Sequence, residues 1–166
     1  MSGLTPELVM QLMEAGESQA AIARAFKVSR QYVHKLAKQG GHETSQRLSD
    51  YVSRHFPWDI IPEANHSTLH QNIRLLALWN LDQSALERGG RLKLRAFLNK
   101  LNGFQQVVDY NPNYKAVKGL NNKPGFAYVP RTPEDEGMAI KIRPGIRLTD
   151  EGRKLWAMPK ELPESI

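Results

Sequence analysis

Leu8, Val9, Leu12 and Met13 recur three and four residues apart, which predicts a helix beginning at Pro6. Thr5 stands before the proline as its N-cap, and Gly16 closes the helix. Ser18 caps a second helix, Gln19 to Phe26, with Ala20, Ile22, Ala23 and Phe26 inward. After Lys27 and Val28, Ser29 caps a third, Arg30 to Lys38, with Val33, Leu36 and Ala37 inward; Gly40 and Gly41 end it. Thr44 to Phe56 carries one apolar stripe (Leu48, Tyr51, Val52, His55, Phe56) that stops at Pro57. Ser67 to Trp79 is the most apolar stretch and predicts a central helix for a second core. Asp82 caps a short helix, Gln83 to Arg88, which Gly89 and Gly90 break. Arg91 to Asn102 is the next helix, with Leu94, Phe97, Leu98 and Leu101 inward. The period then changes. Phe104–Tyr110, Phe126–Val129 and Met138–Ile142 are short strand candidates separated by Asn/Pro/Gly turns. Thr149 caps a last helix through Trp156, with acids in its first turn and bases later.

The first three helices have the spacing of a DNA-binding helix-turn-helix. Small Ala23 permits a close crossing, and Ile22, Val28, Val33 and Leu36 fill the junction. Lys27 stands where a glycine is usual, at a cost if that site needs positive φ. The outward face of helix 30–38 carries Gln31, His34, Lys35 and Lys38, with Ser29 and Arg30 at its tip. Gln bonds adenine, Arg bonds guanine, and Ser, His and Lys hold phosphates or base edges.

Charge sharpens the picture. The 166 residues carry 23 Lys+Arg against 17 Asp+Glu, a formal +6. Residues 1–41 hold five bases after three acids, and residues 42–87 hold three bases and six acids. Residues 88–131 hold nine bases and one acid, Asp109, whereas 132–166 are nearly balanced. Two basic blocks separated by a mildly acidic spacer predict two phosphate-facing surfaces. In the second block Arg91, Lys93, Arg95 and Lys100 flank Leu92, Ala96 and Asn99. Two readings of that face stay open: Leu92 and Ala96 meet thymine methyls while Asn99 reads adenine, or Leu92 packs on a neighbouring element. Helix, turn, helix, strand, basic loop, strand, helix is the order of a winged-helix unit. Lys115, Lys118 and Lys123 would lie on its wing and touch the backbone or minor groove. Thr132–Glu136 reads as an acidic surface loop, and the tail from Pro159 to Ile166 as loosely held.

Other chemistry is poorly supported. There is no cysteine, so disulfides, Cys-ligated metals and thiol nucleophiles are excluded. Glu63, His66 and His70 have weak metal spacing and read as solvated or capping groups. Carboxylates are scattered, so neither a nuclease nor a recombinase site emerges. No catalytic residue, metal or cofactor is expected. No apolar run is long enough to span a membrane and no secretion signal stands at Met1–Val9, so the expected compartment is the cytoplasm.

The stretch IARAFKVSRQYVHKL at 22–36, with weaker support from ALWN at 77–80 and RLKLRAFLNK at 91–100, resembles the immunity repressors of actinobacteriophages. The resemblance is to the mycobacteriophage group that binds operators and dispersed stoperators. It implies a repressor in the host bacterial cytoplasm that silences early lytic transcription to maintain lysogeny, touching RNA polymerase only indirectly. It further implies a monomer reading an asymmetric double-stranded DNA site with two non-identical units. The expected architecture is mainly α with a small β component. Residues 1–41 form a helix-turn-helix, 42–56 a connecting helix, and 57–166 a winged-helix-like second DNA-binding domain. The competing reading is a dimeric regulator, antitoxin or recombination accessory factor whose residues 57–166 serve oligomerisation.

Overall fold

The computed structural model describes residues 3–42 and 45–163. Helix α1 spans Pro6–Glu14, α2 Gln19–Phe26 and α3 Arg30–Gln39. Each start is closed by its own cap: Thr5 Oγ1 accepts from Leu8 N at 3.2 Å, Ser18 Oγ from Ala21 N at 3.0 Å and Ser29 Oγ from Tyr32 N at 3.1 Å. A cap of this kind is worth about 1 kcal/mol. Lys27 ends α2 in the left-handed region (φ 56°, ψ 43°), and Val28 N reaches back to Ala23 O at 3.0 Å. The turn therefore demands positive φ from a residue with a Cβ. Both α1 and α2 pack on α3. Leu4, Val9, Met13, Ile22, Ala23, Val33, Leu36 and Ala37 form the core of this unit.

The second core is larger. Helix α4 (Ser45–Arg54), α5 (Thr68–Leu81), α6 (Arg88–Gly103), a two-stranded antiparallel sheet of β1 (Gln106–Tyr110) and β2 (Phe126–Pro130), and α7 (Asp150–Leu155) enclose it. The register runs from Gln106 opposite Pro130 to Tyr110 opposite Phe126. Val52, Phe56, Trp58, Ile73, Leu76, Leu94, Leu98, Leu101, Val108, Phe126, Ile140 and Trp156 meet inside it. α4 packs on α5 rather than standing free as a connecting rod. Arg74 on α5 holds it, donating to Ser49 O at 3.1 Å, Ser49 Oγ at 2.9 Å and Ser53 Oγ at 3.3 Å. Thr44, the expected start of this helix, lies outside the described residues.

Several expected elements are corrected by long-range contacts. Gly89 and Gly90 do not break a helix but lie in the first turn of α6, which starts at Arg88. There Arg88 N donates to Gly16 O at 3.0 Å, so the N-terminal unit satisfies a first-turn donor. The short helix before it is a single 3-10 turn, Gln83–Ala85, capped by Asp82. Met138–Ile142 is not a continuous strand, because it is shared between two partners. Ile140 bridges Val108 and Met138 bridges Ala157. Phe104 is exposed and Gln105 has φ 51°, so β1 begins only at Gln106. The loop at 132–136 is not wholly surface, since Asp135 is fully buried. The tail is held as far as Pro163, which is buried and accepts from Arg95 Nη1 at 2.6 Å; residues 164–166 lie outside the described residues. His70 is not solvated. It stacks on Phe126 with centroids 5.8 Å apart, and its Nδ1 lies 3.0 Å from Asn65 O.

Candidate nucleic-acid interface

Val33, Leu36 and Ala37 turn one side of α3 into the core, and helical periodicity places the rest outward. Arg30, Gln31, His34, Lys35 and Lys38 are all exposed on that side. Ser29 is exposed too, but its hydroxyl is engaged by the Tyr32 amide. Tyr32 stands beside this face at 40% exposure. Arg30 and His34 also border a cleft of about 280 Å³ between the two units, where Glu17, Glu87, Met13 and Ser84 are further lining residues.

On α6 the buried stripe is Leu94, Phe97, Leu98 and Leu101. Leu92, Lys93, Ala96 and Asn99 are exposed. Leu92, at 43% exposure, is not packed away against a neighbouring element. Lys93, Ala96 and Lys100 form one wall of a groove of about 770 Å³, whose other wall is Gln71, Arg74, Leu75 and Leu78 of α5. Lys100 Nζ sits 4.2 Å from the centroid of the Tyr128 ring, a cation–π contact. Arg95 is turned to the Pro163 carbonyl.

Arg91 is the residue that sequence reasoning misplaced. It is 7% exposed and faces inward. Its guanidinium donates to Leu86 O at 3.0 Å, Met13 O at 3.0 Å and Gln83 O at 2.9 Å, and lies 5.3 Å from the Trp79 ring. A side chain so committed is withdrawn from any groove-facing role.

Between the strands, residues 111–125 form a compact basic loop. Val117 and Asn121 exchange backbone hydrogen bonds at 2.7 and 2.9 Å, which leaves Lys118 and Gly119 at a tight tip. Gly119 has φ +86°. The Asn121 side-chain amide donates to Phe126 O, tying the loop to β2, and Gly125 N donates to Tyr114 O at 2.9 Å within the loop. Lys115, Lys118 and Lys123 are all exposed. So are Val117 and Leu120, at 51% and 55%. Sequence reasoning passed over these two. The available signal was a pair of large apolar residues inside a Lys/Gly/Asn turn, where no core can cover them.

The single acid of the basic block does not oppose this surface. Asp109 is buried, accepts from Tyr114 Oη at 2.9 Å, and pairs with Arg143 Nε at 3.1 Å. Burial, and then the adjacent Asp109 carboxylate, push the Tyr114 hydroxyl above its usual range. Glu63 and His66 are exposed and His70 is buried. Among the described residues no group of three or more His, Asp or Glu is arranged to hold a metal ion. No helix among them is long and apolar enough to cross a membrane.

No family model matches the chain. Over 165 residues it is 28% identical to the repressor-like immunity protein of Mycobacterium phage L5, an alignment covering 97% of this chain and 87% of that protein. The alignment thus spans both cores and both basic surfaces.

Proposed function

We propose that the protein is a phage immunity repressor that binds an asymmetric operator or stoperator as a monomer, through two tandem DNA-reading units. It acts by silencing lytic transcription and maintaining lysogeny. The observation that carries this reading is the presence, on one chain, of two helices with unlike outward faces: Arg30, Gln31, His34, Lys35 and Lys38 on α3, and Leu92, Lys93, Ala96 and Asn99 on α6. The similarity to a repressor-like immunity protein over most of the chain supports the repressor part of it. α1–α3 serve as a helix-turn-helix with α3 in a major groove, where Arg30 and Gln31 read bases and Lys35 and Lys38 hold phosphates. The α5–α7 unit serves as a winged helix. Asn99 reads a base there, Leu92 and Ala96 meet methyl groups, and Lys93, Lys115, Lys118 and Lys123 hold the backbone. Val117 and Leu120 stand at the loop tip as apolar groups suited to a minor-groove floor.

Footprinting on the preferred genomic fragment, with the mass of the complex determined in parallel, tests this. The expected result is one chain on a non-palindromic site longer than one helical turn. Gln31→Ala should relax base preference at one end and Asn99→Ala at the other, each at a cost of about 1–3 kcal/mol. Two chains on a palindrome would instead make residues 57–166 an oligomerisation domain.

A further inference from the structure

The Arg91 side chain sits where the two units meet. Met13 O, which it binds at 3.0 Å, is the carbonyl near the C-terminus of α1. Leu86 O and Gln83 O, at 3.0 and 2.9 Å, belong to the turn that leads into α6. One planar guanidinium therefore bridges the two cores, and Trp79 of α5 covers its face. The fit is close from the other side as well. Gly16 has φ +97°, and a Cβ there would lie 3.4 Å from Arg91 Cδ and Nε. Two further contacts close the same seam. Arg88 N donates to Gly16 O at 3.0 Å. His42 Nδ1 lies 3.4 Å from Ser84 Oγ and 3.7 Å from Asp82 Oδ2.

The path between the reading faces is short. α3 packs on α1, the end of α1 is held by Arg91, and Arg91 is part of α6. We infer that Arg91 is a positioning residue that joins the two reading units into one rigid body and thereby fixes the base-pair spacing between the halves of the DNA site. The DNA half of this inference rests on the proposed function; the mechanical half does not. A rigid pair binds a correctly spaced site without ordering its units at that moment, and it rejects a site of altered spacing. Inserting one base pair moves one half-site by about 3.4 Å and turns it by about 35° about the duplex axis. A rigid reader cannot follow that step, whereas a hinged one can.

The experiment has two arms on the full chain. Without DNA, ¹⁵N relaxation is measured for the wild type, for Arg91→Ala and for Gly16→Val, which presses on the guanidinium from the other unit. The expected result is one tumbling time for α1–α3 and α5–α6 in the wild type, and a shorter time for α1–α3 in both variants. With DNA, affinity is compared on the native site and on one carrying a single-base-pair insertion. The wild type should lose about 100-fold on insertion and the variants less than about tenfold, even though their affinity for the native site is lower. A merely destabilised protein loses affinity on both sites alike, so an unchanged ratio overturns the inference. Two tumbling times in the wild type, or a single one in both variants, also overturn it. Split tumbling with no two-part site in any DNA overturns the repressor reading and leaves Arg91 as the joint.

Discussion

Asp135 offers a quantitative test of how the second unit is built. Its carboxylate is fully buried. Oδ1 accepts from Ile142 N at 2.8 Å, and Oδ2 from Thr132 N at 2.9 Å, Thr132 Oγ1 at 3.1 Å and Lys141 Nζ at 2.9 Å. Four donors thus converge on two oxygens. They close the turn that brings Ala139 and Ile140 beside β1, where Val108 N donates to Ala139 O at 2.9 Å. Asp135→Asn is nearly isosteric, yet it supplies one acceptor and one donor. Whichever way the amide turns, its NH₂ confronts the Ile142 amide or the Thr132–Lys141 group. A buried donor left unsatisfied costs about 1–3 kcal/mol, and loss of the charged partner adds to that, so we expect a destabilisation of about 2–4 kcal/mol near neutral pH. Burial alone would raise the carboxyl pKa, but the Ile142 and Thr132 amides, the Lys141 ammonium and the Thr132 hydroxyl outweigh it and hold the pKa below the usual carboxylate value. A depressed folded pKa means stability that is present above the unfolded value of about 3.9 and lost as pH falls toward the folded one. The gap between wild type and variant should therefore narrow in acid. Urea unfolding across the pH range, with unchanged slope, measures both. A neutral-pH difference below about 1 kcal/mol, or a gap that persists in acid, would refute this account of the buried network.

Gly125 has φ +110°, and a Cβ there would stand 2.9 Å from Tyr110 Cε2 and 3.0 Å from Ala64 Cβ. Gly125→Ala should therefore cost about 2–4 kcal/mol in chemical unfolding, from backbone strain plus overpacking. Burial lowers the His70 pKa from 6.5, with Arg74 and His66 adding to that against the opposing Asn65 carbonyl, so stability should decline as pH falls below about 6.5. His70→Gln should remove that component of the pH dependence in thermal melts, whatever its effect at neutral pH. Lys118→Ala, at the exposed loop tip, should weaken DNA binding on all sequences alike and reduce the slope of log K against log salt by about 0.9; a sequence-selective loss would show that Lys118 reads bases instead.

What was legible in the sequence was local. Thr5, Ser18, Ser29 and Thr149 each cap a helix as their spacing predicted, because the bond that defines a cap spans only three residues. Lys27 adopts positive φ for the same short-range reason. Apolar periodicity separated the buried stripes of α3 and α6 from their outward faces. What was not legible was the fate of polar groups whose partners lie far along the chain. Arg91 is hidden by a carbonyl 78 residues away, and Asp109 by an arginine 34 residues away. The start of α6 is likewise set by Gly16 O. In each case periodicity gives the direction of the side chain about its own helix or strand, but not whether another element covers it.

The same distinction decides what kind of surface the basic block becomes. Of its four arginines, Arg88 is exposed, whereas Arg91 is buried on three carbonyls, Arg95 is bound to Pro163 O, and Arg131 donates to the Asp135, Met138 and Gln106 carbonyls. Lys93, Lys115, Lys118 and Lys123 are instead exposed. The division follows from the cations themselves. A planar guanidinium with five donors can satisfy several carbonyls at once, whereas a strongly hydrated ammonium loses more than it gains by burial. Arg91, Arg95 and Arg131 thus cross-link the fold and Lys100 lies against Tyr128, while Arg88, Lys93, Lys115, Lys118 and Lys123 are left to make the field outside it. Lysines hold phosphates as point charges and carry little sequence information. On the function proposed above, base discrimination in this half of the molecule rests on Asn99 and on the apolar pair Leu92 and Ala96. On α3, by contrast, Arg30 and Gln31 both remain outward. The two halves of a DNA site should then differ in kind: the α3 half is read through hydrogen bonds to bases, and the α6 half is held largely through its backbone, with the steeper share of the salt dependence.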